Sequence, residues 1–291
     1  MSNTQQLRRR IKSISNTRQI TKAMELVAAS KMRKAQNQVL ASRPYSNVIE
    51  YVLGTVGSGV DRTKHPLLRT GHRGPTQKIA FILIAPDKGL AGSLVTNIMR
   101  ETLQFINQNN THELNVITIE RKARDFILKT GNTIIADFAS LQSPPTLRDT
   151  NPIARLVIDG YTKKTFDQVY IGYTHFINTV SQKPIIKKIL PIENTKPDQD
   201  ESARNDSVEF RFEPSPDDIL ESLLPRYIEV EIYQAVAEAA ASEHSARMVA
   251  MKNASDNAKD IIYDLQLTYN TTRQGAITQE LAEVTAGANA V

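Results

Sequence analysis

The sequence predicts an α/β protein: a long antiparallel coiled coil of the N- and C-terminal helices with an inserted, doubly wound α/β domain. Three observations carry that prediction. Near each end of the 291-residue chain, apolar or small residues recur every three or four positions over tens of residues, which is a helical seam. Between the seams, short apolar runs alternate with helical patterns, as in a largely parallel sheet. Both terminal stripes are narrow enough for a coiled-coil seam and too narrow to bury themselves in a globular core. The expected boundaries are 1–58 and 214–291 for the helical pair and 76–213 for the Rossmann-like domain.

The first seam runs through Leu7, Ile11, Ile14, Thr21, Met24, Ala28, Met32, Ala35 and Val39, and Arg18 alone interrupts it where an apolar residue is expected. Pro44 should kink or interrupt the helix, since a proline forced into a straight helix costs about 3 kcal/mol. Gly54, Gly57 and Gly59 then stop it. Fifty such residues rise through roughly 75 Å. Charge is concentrated here. Residues 1–43 hold ten Lys or Arg and a single acid, Glu25, a net +9, which leaves −4 for the rest of a chain whose total is +5. A basic helix of this kind suits an acidic partner, nucleic acid or an anionic surface, or else is a solvated face.

The middle of the chain alternates. KIAFILIAP is a nearly continuous apolar run, as a strand buried on both faces requires. A glycine-bearing loop and a helix over Leu94–Ile106 follow. LNVITIE, TIIADF and QVYIGYTHF are further strands, separated by the helices RKARDFILKTG, ending at Gly131, and IARLVIDGYTKKTF. PIIKKILPI and VEFRF are two more strand segments, flanking the acidic loop ENTKPDQDESARND. This order reads as a doubly wound domain.

The last region starts at SPDD, with Ser215 as N-cap, Pro216 at the first helical position and two acids against the positive helix end. Pro225 is expected to break or kink this piece. Beyond Arg226 there is no proline, and nine alanines fall between 235 and 258, which favours helix and close backbone approach. A seam of Ala250, Ala254, Ala258, Ile261, Leu265, Thr268, Thr272 and Ala276 continues the spacing. Pairing the two terminal helices antiparallel buries both stripes. The C-terminal helix is the longer, so its last turns project alone or meet another protein.

Composition excludes several chemistries. The chain has no cysteine, hence no disulfide, thiolate metal site or Cys nucleophile. No apolar run approaches the roughly 18–20 residues that span a bilayer. The five histidines form no HxxxH pair, so no metal site is expected. No GxSxG elbow is present. The loop PDKGLAGS, Pro86–Ser93, lacks the spacing of a P-loop or a dinucleotide turn and reads as a tight strand-to-helix bend. Aromatic residues make up 6% of the chain and none interleaves with the basic runs, which argues against single-strand nucleic-acid binding. The reading is a protein without an active site or cofactor of its own.

RRRIKSISNTRQITKAMELVAASKMRKAQ, at 8–36, resembles the N-terminal helix of the gamma subunits of F-type ATP synthases, and residues 241–290 resemble their C-terminal helix. Within the latter, Ile277, Thr278, Glu280, Glu283, Gly287 and Ala288 match the family's most diagnostic run. DKGLAGSL stands where the family usually has D-R-G-L-C-G-G, and Lys88, Ala91 and Ser93 depart from that pattern. The resemblance implies a non-catalytic rotor subunit, the central stalk of a proton-translocating ATP synthase. Its paired helices turn inside a ring of alpha and beta subunits, and its α/β domain sits with epsilon against the membrane c-ring. It implies no nucleotide, metal or other cofactor on this chain. It further implies that Arg273 and Gln274 contact a beta loop high on the shaft and that Met24 faces an acidic beta loop lower down. A peripheral place on the cytoplasmic side of a bacterial cell membrane is expected, since no organelle transit segment is evident. The readings from other classes are a coiled-coil scaffold or nucleic-acid-binding protein with an α/β insert, and a nucleotide-binding α/β enzyme.

Overall fold

A computed structural model describes residues 2–56, 65–68, 76–139, 141, 144–192 and 215–288. The elements follow in the order α1 (Ser2–Val56), β1 (Lys78–Ile84), α2 (Leu94–Gln108), β2 (Glu113–Ile119), α3 (Arg121–Thr130), β3 (Thr133–Phe138), α4 (Leu147–Thr162), β4 (Gln168–Phe176), β5 (Gln182–Leu190) and α5 (Pro216–Ala288). The chain divides into two compact units, Met1–Ala29 with Arg247–Val291, and Ser30–Ala246. Helices α1 and α5 contribute to both.

The larger unit is built on a five-stranded sheet in the order β3-β2-β1-β4-β5. Strands β1 to β4 are mutually parallel, and β5 returns antiparallel to β4. The sheet is therefore mixed, with one hairpin partner at its edge. Alternate side chains of β1 feed two cores. Ile79, Phe81 and Leu83 pack with Ile98 and Phe105 of α2 and with Ala123 and Ile127 of α3. Ala80, Ile82 and Ile84 join a core with Ile153 and Val157 of α4, Ile49 and Leu53 of α1, and Leu224 and Ile228 of α5. Helices cover both faces, which is why β1 is apolar throughout.

Within this unit α1 and α5 run antiparallel. Ser42 bonds Gln234, and Arg226 bonds Tyr45. Ala35 and Val39 share a cluster with Ala237 and Ala241. Position numbers rise on one helix as they fall on the other. Neither Pro44 nor Pro225 interrupts its helix, so of the two expected effects the break does not occur. Each lies between residues pinned by burial, Val39 and Ile49 on α1 and Leu224 and Tyr227 on α5. That packing outweighs one missing ladder bond. Helix α4 starts earlier than its apolar pattern suggests, because the Asp149 carboxylate accepts from both the N–H and the hydroxyl of Thr146. The VEFRF segment lies outside the described residues.

In the smaller unit the α1 seam holds as expected. Leu7 and Ala28 are buried, while Ile11, Ile14, Thr21 and Met24 are half-buried and Arg18 is exposed. The α5 seam needs correction. Ile261 and Thr268 are exposed, and Ile262 and Tyr269 take their places. From Ser255 onward the buried or half-buried positions are Ser255, Ala258, Ile262, Leu265, Tyr269, Thr272 and Ala276. Those steps alternate strictly between four and three, which is the heptad spacing of a left-handed coiled coil.

Candidate functional site

Three places in the structure invite a functional reading. The first is the loop after β1. Order along the sheet reverses between β1 and β4, so this loop sits at the topological switch point where open α/β sheets bind ligands. Here Asp87 Oδ1 instead accepts from the Arg121 N–H at 2.9 Å, capping the start of α3. Leu90 and Gly92 carry the bend at φ 62° and 60°, and the Leu90 side chain stands 62% exposed. The loop thus joins β1 to α2 with a carboxylate tied to α3 and an apolar tip turned outward. Among the described residues, no group of three or more potential metal ligands occurs.

The second place is the far part of α5. If the seam residues are the inner positions of the heptad, Tyr263, Leu267, Asn270, Gln274, Ile277, Leu281, Val284 and Ala288 fall on the opposite, outer face. Every one of these eight is exposed, Leu281 at 62% and Val284 at 71%. Outer heptad positions are ordinarily charged. Apolar residues there leave a surface that α1 does not cover, the kind of patch that marks an interaction site. Of the residues expected to touch a partner, Gln274 lies in this outer stripe, Arg273 is exposed beside it, and Met24 lies half-buried in the α1 seam.

The third place is polar and buried, inside the larger unit. Glu238 of α5 has a side chain only 5% exposed. Its Oε2 accepts from His175 Nδ1 of β4 at 2.5 Å, and its Oε1 accepts from Gln234 Nε2 at 2.9 Å. Arg43 of α1 holds Nη2 3.7 Å from the same Oε1 and donates to the Phe176 carbonyl at 3.2 Å. Ser42 donates to Gln234 Oε1 at 2.5 Å. Beside them Ser242 donates to the Thr174 carbonyl and Ser245 to the Thr179 carbonyl, and Lys187 of β5 pairs with Glu231 at 2.7 Å. Burial, then the Glu238 and Glu231 charges, push the Tyr173 hydroxyl's pKa well up, with Arg43 opposing. None of this was visible in the sequence.

Comparison with known proteins bears on the whole chain. Residues 3–291 match the model of a family described as ATP synthase. The chain is 46% identical over 294 residues to an ATP synthase gamma chain of Roseiflexus castenholzii, covering all of this chain and 99% of the relative. It is 39% identical over 293 residues to an ATP synthase gamma chain of Legionella pneumophila, covering all of both. By structure it is similar to a chain of the rotor of Euglena gracilis mitochondrial ATP synthase, with TM-score 0.66 at 20% identity over 95% of this chain and 99% of that one. A chain of the Tetrahymena thermophila mitochondrial ATP synthase central stalk and c-ring gives TM-score 0.61 at 22% identity, over 81% of this chain and 99% of that one. These two likenesses share the fold.

Proposed function

The chain belongs to the ATP synthase gamma-chain family, and we propose from that premise that it works as the central-stalk rotor of an F-type ATP synthase. It is a non-catalytic subunit. Its task is mechanical: rotation driven by proton flow through the membrane c-ring turns the paired helices, and their changing face alters nucleotide affinity in successive beta subunits.

The observation that carries this reading is the two-sided far end of α5. One face holds a heptad seam as far as Ala276, and the outer face exposes Tyr263 and Leu267 beside that seam and Ile277, Leu281 and Val284 beyond it. A helix apolar on both sides is enclosed by more than its coiled-coil mate. A surrounding ring of alpha and beta subunits is such an enclosure. Apolar contact suits a turning shaft because it has no directional bonds to break at each step. The basic start of α1 adds attraction to acidic loops on beta, each exposed pair contributing only about 0–1 kcal/mol. Sterics therefore carry torque and charge tunes it.

We assign residues 1–58 and 214–291 to the shaft and 76–213 to the α/β domain that meets epsilon and the c-ring. Arg273 and Gln274 touch a beta loop, and Met24 faces another. Attachment to the cytoplasmic side of a bacterial membrane is peripheral, in keeping with described helices of which none is long and apolar enough to cross one.

The test is recovery through a tag on this chain from gently solubilised membranes. A large complex with ATP-hydrolysing partners, several copies of them to one of this chain, supports the rotor. A lone chain, or one bound to nucleic acid, overturns it. Within the recovered complex, Arg273→Ala with Gln274→Ala should lower ATPase turnover while assembly survives, and wild-type turnover would remove that pair from the contact.

A further inference from the structure

We propose that Glu238, held by Arg43 and His175, is a register clamp that fixes both long helices to strand β4, so that torque passes between sheet and helices without slip. The proposal rests on the rotor reading above and goes beyond it by naming the residues that make the rotor stiff.

The need for a clamp comes from what surrounds it. Where α1, α5 and β4 meet, the apolar contact is made by Ala35, Val39, Ala237, Ala241 and Phe176. Alanine permits close approach, but its small side chain presents a nearly smooth surface with little resistance to sliding or turning about the helix axis. Directional bonds must supply that resistance. Glu238 is placed to do so, because its carboxylate receives a group from each of the three elements: Arg43 from α1, His175 from β4 and Gln234 from α5 itself.

The surrounding bonds point the same way. Arg43 reaches past Glu238 to the Phe176 carbonyl, tying α1 to the end of β4 directly. Ser242 takes the carbonyl of Thr174. Thr174 faces Pro184 across the β4–β5 ladder, and proline has no N–H to offer there. Strand β4 thus turns its hydrogen-bonding capacity toward α5. Lys187 with Glu231 makes a second ionic tie from β5 to α5, 44 residues apart in sequence.

A buried carboxylate adds little net stability over an apolar substitute, yet breaking its pairing leaves a charge without compensation. Such a group resists displacement more than it favours folding. That is what a positioning residue in a torsion element requires, and it accounts for a charge among alanines.

The experiment uses the assembled complex in sealed vesicles and compares protons pumped per ATP hydrolysed. Glu238→Gln removes the ionic tie to Arg43 and His175→Gln removes the imidazole that bonds the carboxylate, each with little change in side-chain size. With the complex recovered intact, the pumping ratio should fall roughly threefold or more against an opposing gradient while hydrolysis persists, since a loosened contact turns under load. Because the chain has no cysteine, Glu238→Cys with His175→Cys creates a unique thiol pair. Bridging it with a short bifunctional thiol reagent should restore the ratio, a rescue that a role in folding alone would not show. An unchanged ratio in both glutamine variants overturns the clamp, as does a lowered ratio that bridging leaves low. If neither glutamine variant assembles, the residues serve folding, and the clamp is again rejected. Failure of the wild-type chain to co-purify with an ATPase would instead reject the rotor reading itself.

Discussion

His65 shows how one side chain ties stability to pH. Burial lowers its pKa below 6.5, with Glu221 opposing more weakly. Unfolded, the imidazole titrates near 6.5; folded, it titrates lower, so between the two the unfolded chain binds more protons and acid favours unfolding. Its contribution is complete above 6.5 and is lost as pH falls through the folded value. Melting temperatures measured downward from pH 7 should therefore drop less steeply for His65→Gln than for the wild type, and superimposable curves would exclude this role. Gly172 is a steric case. A Cβ there would stand 2.8 Å from Phe81 Cζ, inside a fully buried ring stacked on Phe105. Gly172→Ala should cost about 1–3 kcal/mol by overpacking, read from the denaturant midpoint. Residue-scale facts of this kind were mostly illegible beforehand. Arg43, His175 and Glu238 come from three distant stretches, and nothing in their local sequence marks them as partners.

At the scale of elements the sequence was far more open. TIIADF and QVYIGYTHF coincide with β3 and β4, because apolar runs bounded by turns leave little freedom in placing a strand. The α1 seam was right at every position, whereas the α5 seam slipped by one residue at two places. Both slips fall past the alanine run, where Ile261 stands beside Ile262 and Thr268 beside Tyr269, so a spacing of three or four fits either neighbour. The slip makes a prediction. Ile262 is in the seam and Ile261 is 48% exposed, so Ile262→Asp should destabilise the helical pair by roughly 2 kcal/mol or more, while Ile261→Asp should fall within about 0.5 kcal/mol of wild type. Equal effects in thermal melts would restore the original seam. Helix α4 teaches the converse. Its start was missed because Pro152 sits within its second turn, yet the Thr146–Asp149 cap two turns earlier was there to be read. Thr146→Ala should cost about 1 kcal/mol.

For the whole chain, alternation of strand and helix patterns was enough for the α/β class, and the opposite ends of the sequence supplied the helical pair. The antiparallel β5 was harder to foresee, since a strand's direction is set by the length of its connection. The short link from Phe176 to Gln182 permits a hairpin and no crossover. Function was legible only through resemblance. Composition and spacing offered no catalytic motif, and an exposed apolar stripe marks a surface without naming what meets it. The rotor reading is tested most directly by watching the chain turn. With no native cysteine, a single Lys129→Cys at an exposed position of α3 takes a fluorescent or bead label while the catalytic ring is fixed to a surface. On adding ATP the label should step in one direction around a fixed axis, and should stop when hydrolysis is inhibited. A label that stays still, or only jitters, while the ring hydrolyses ATP would rule out a rotor.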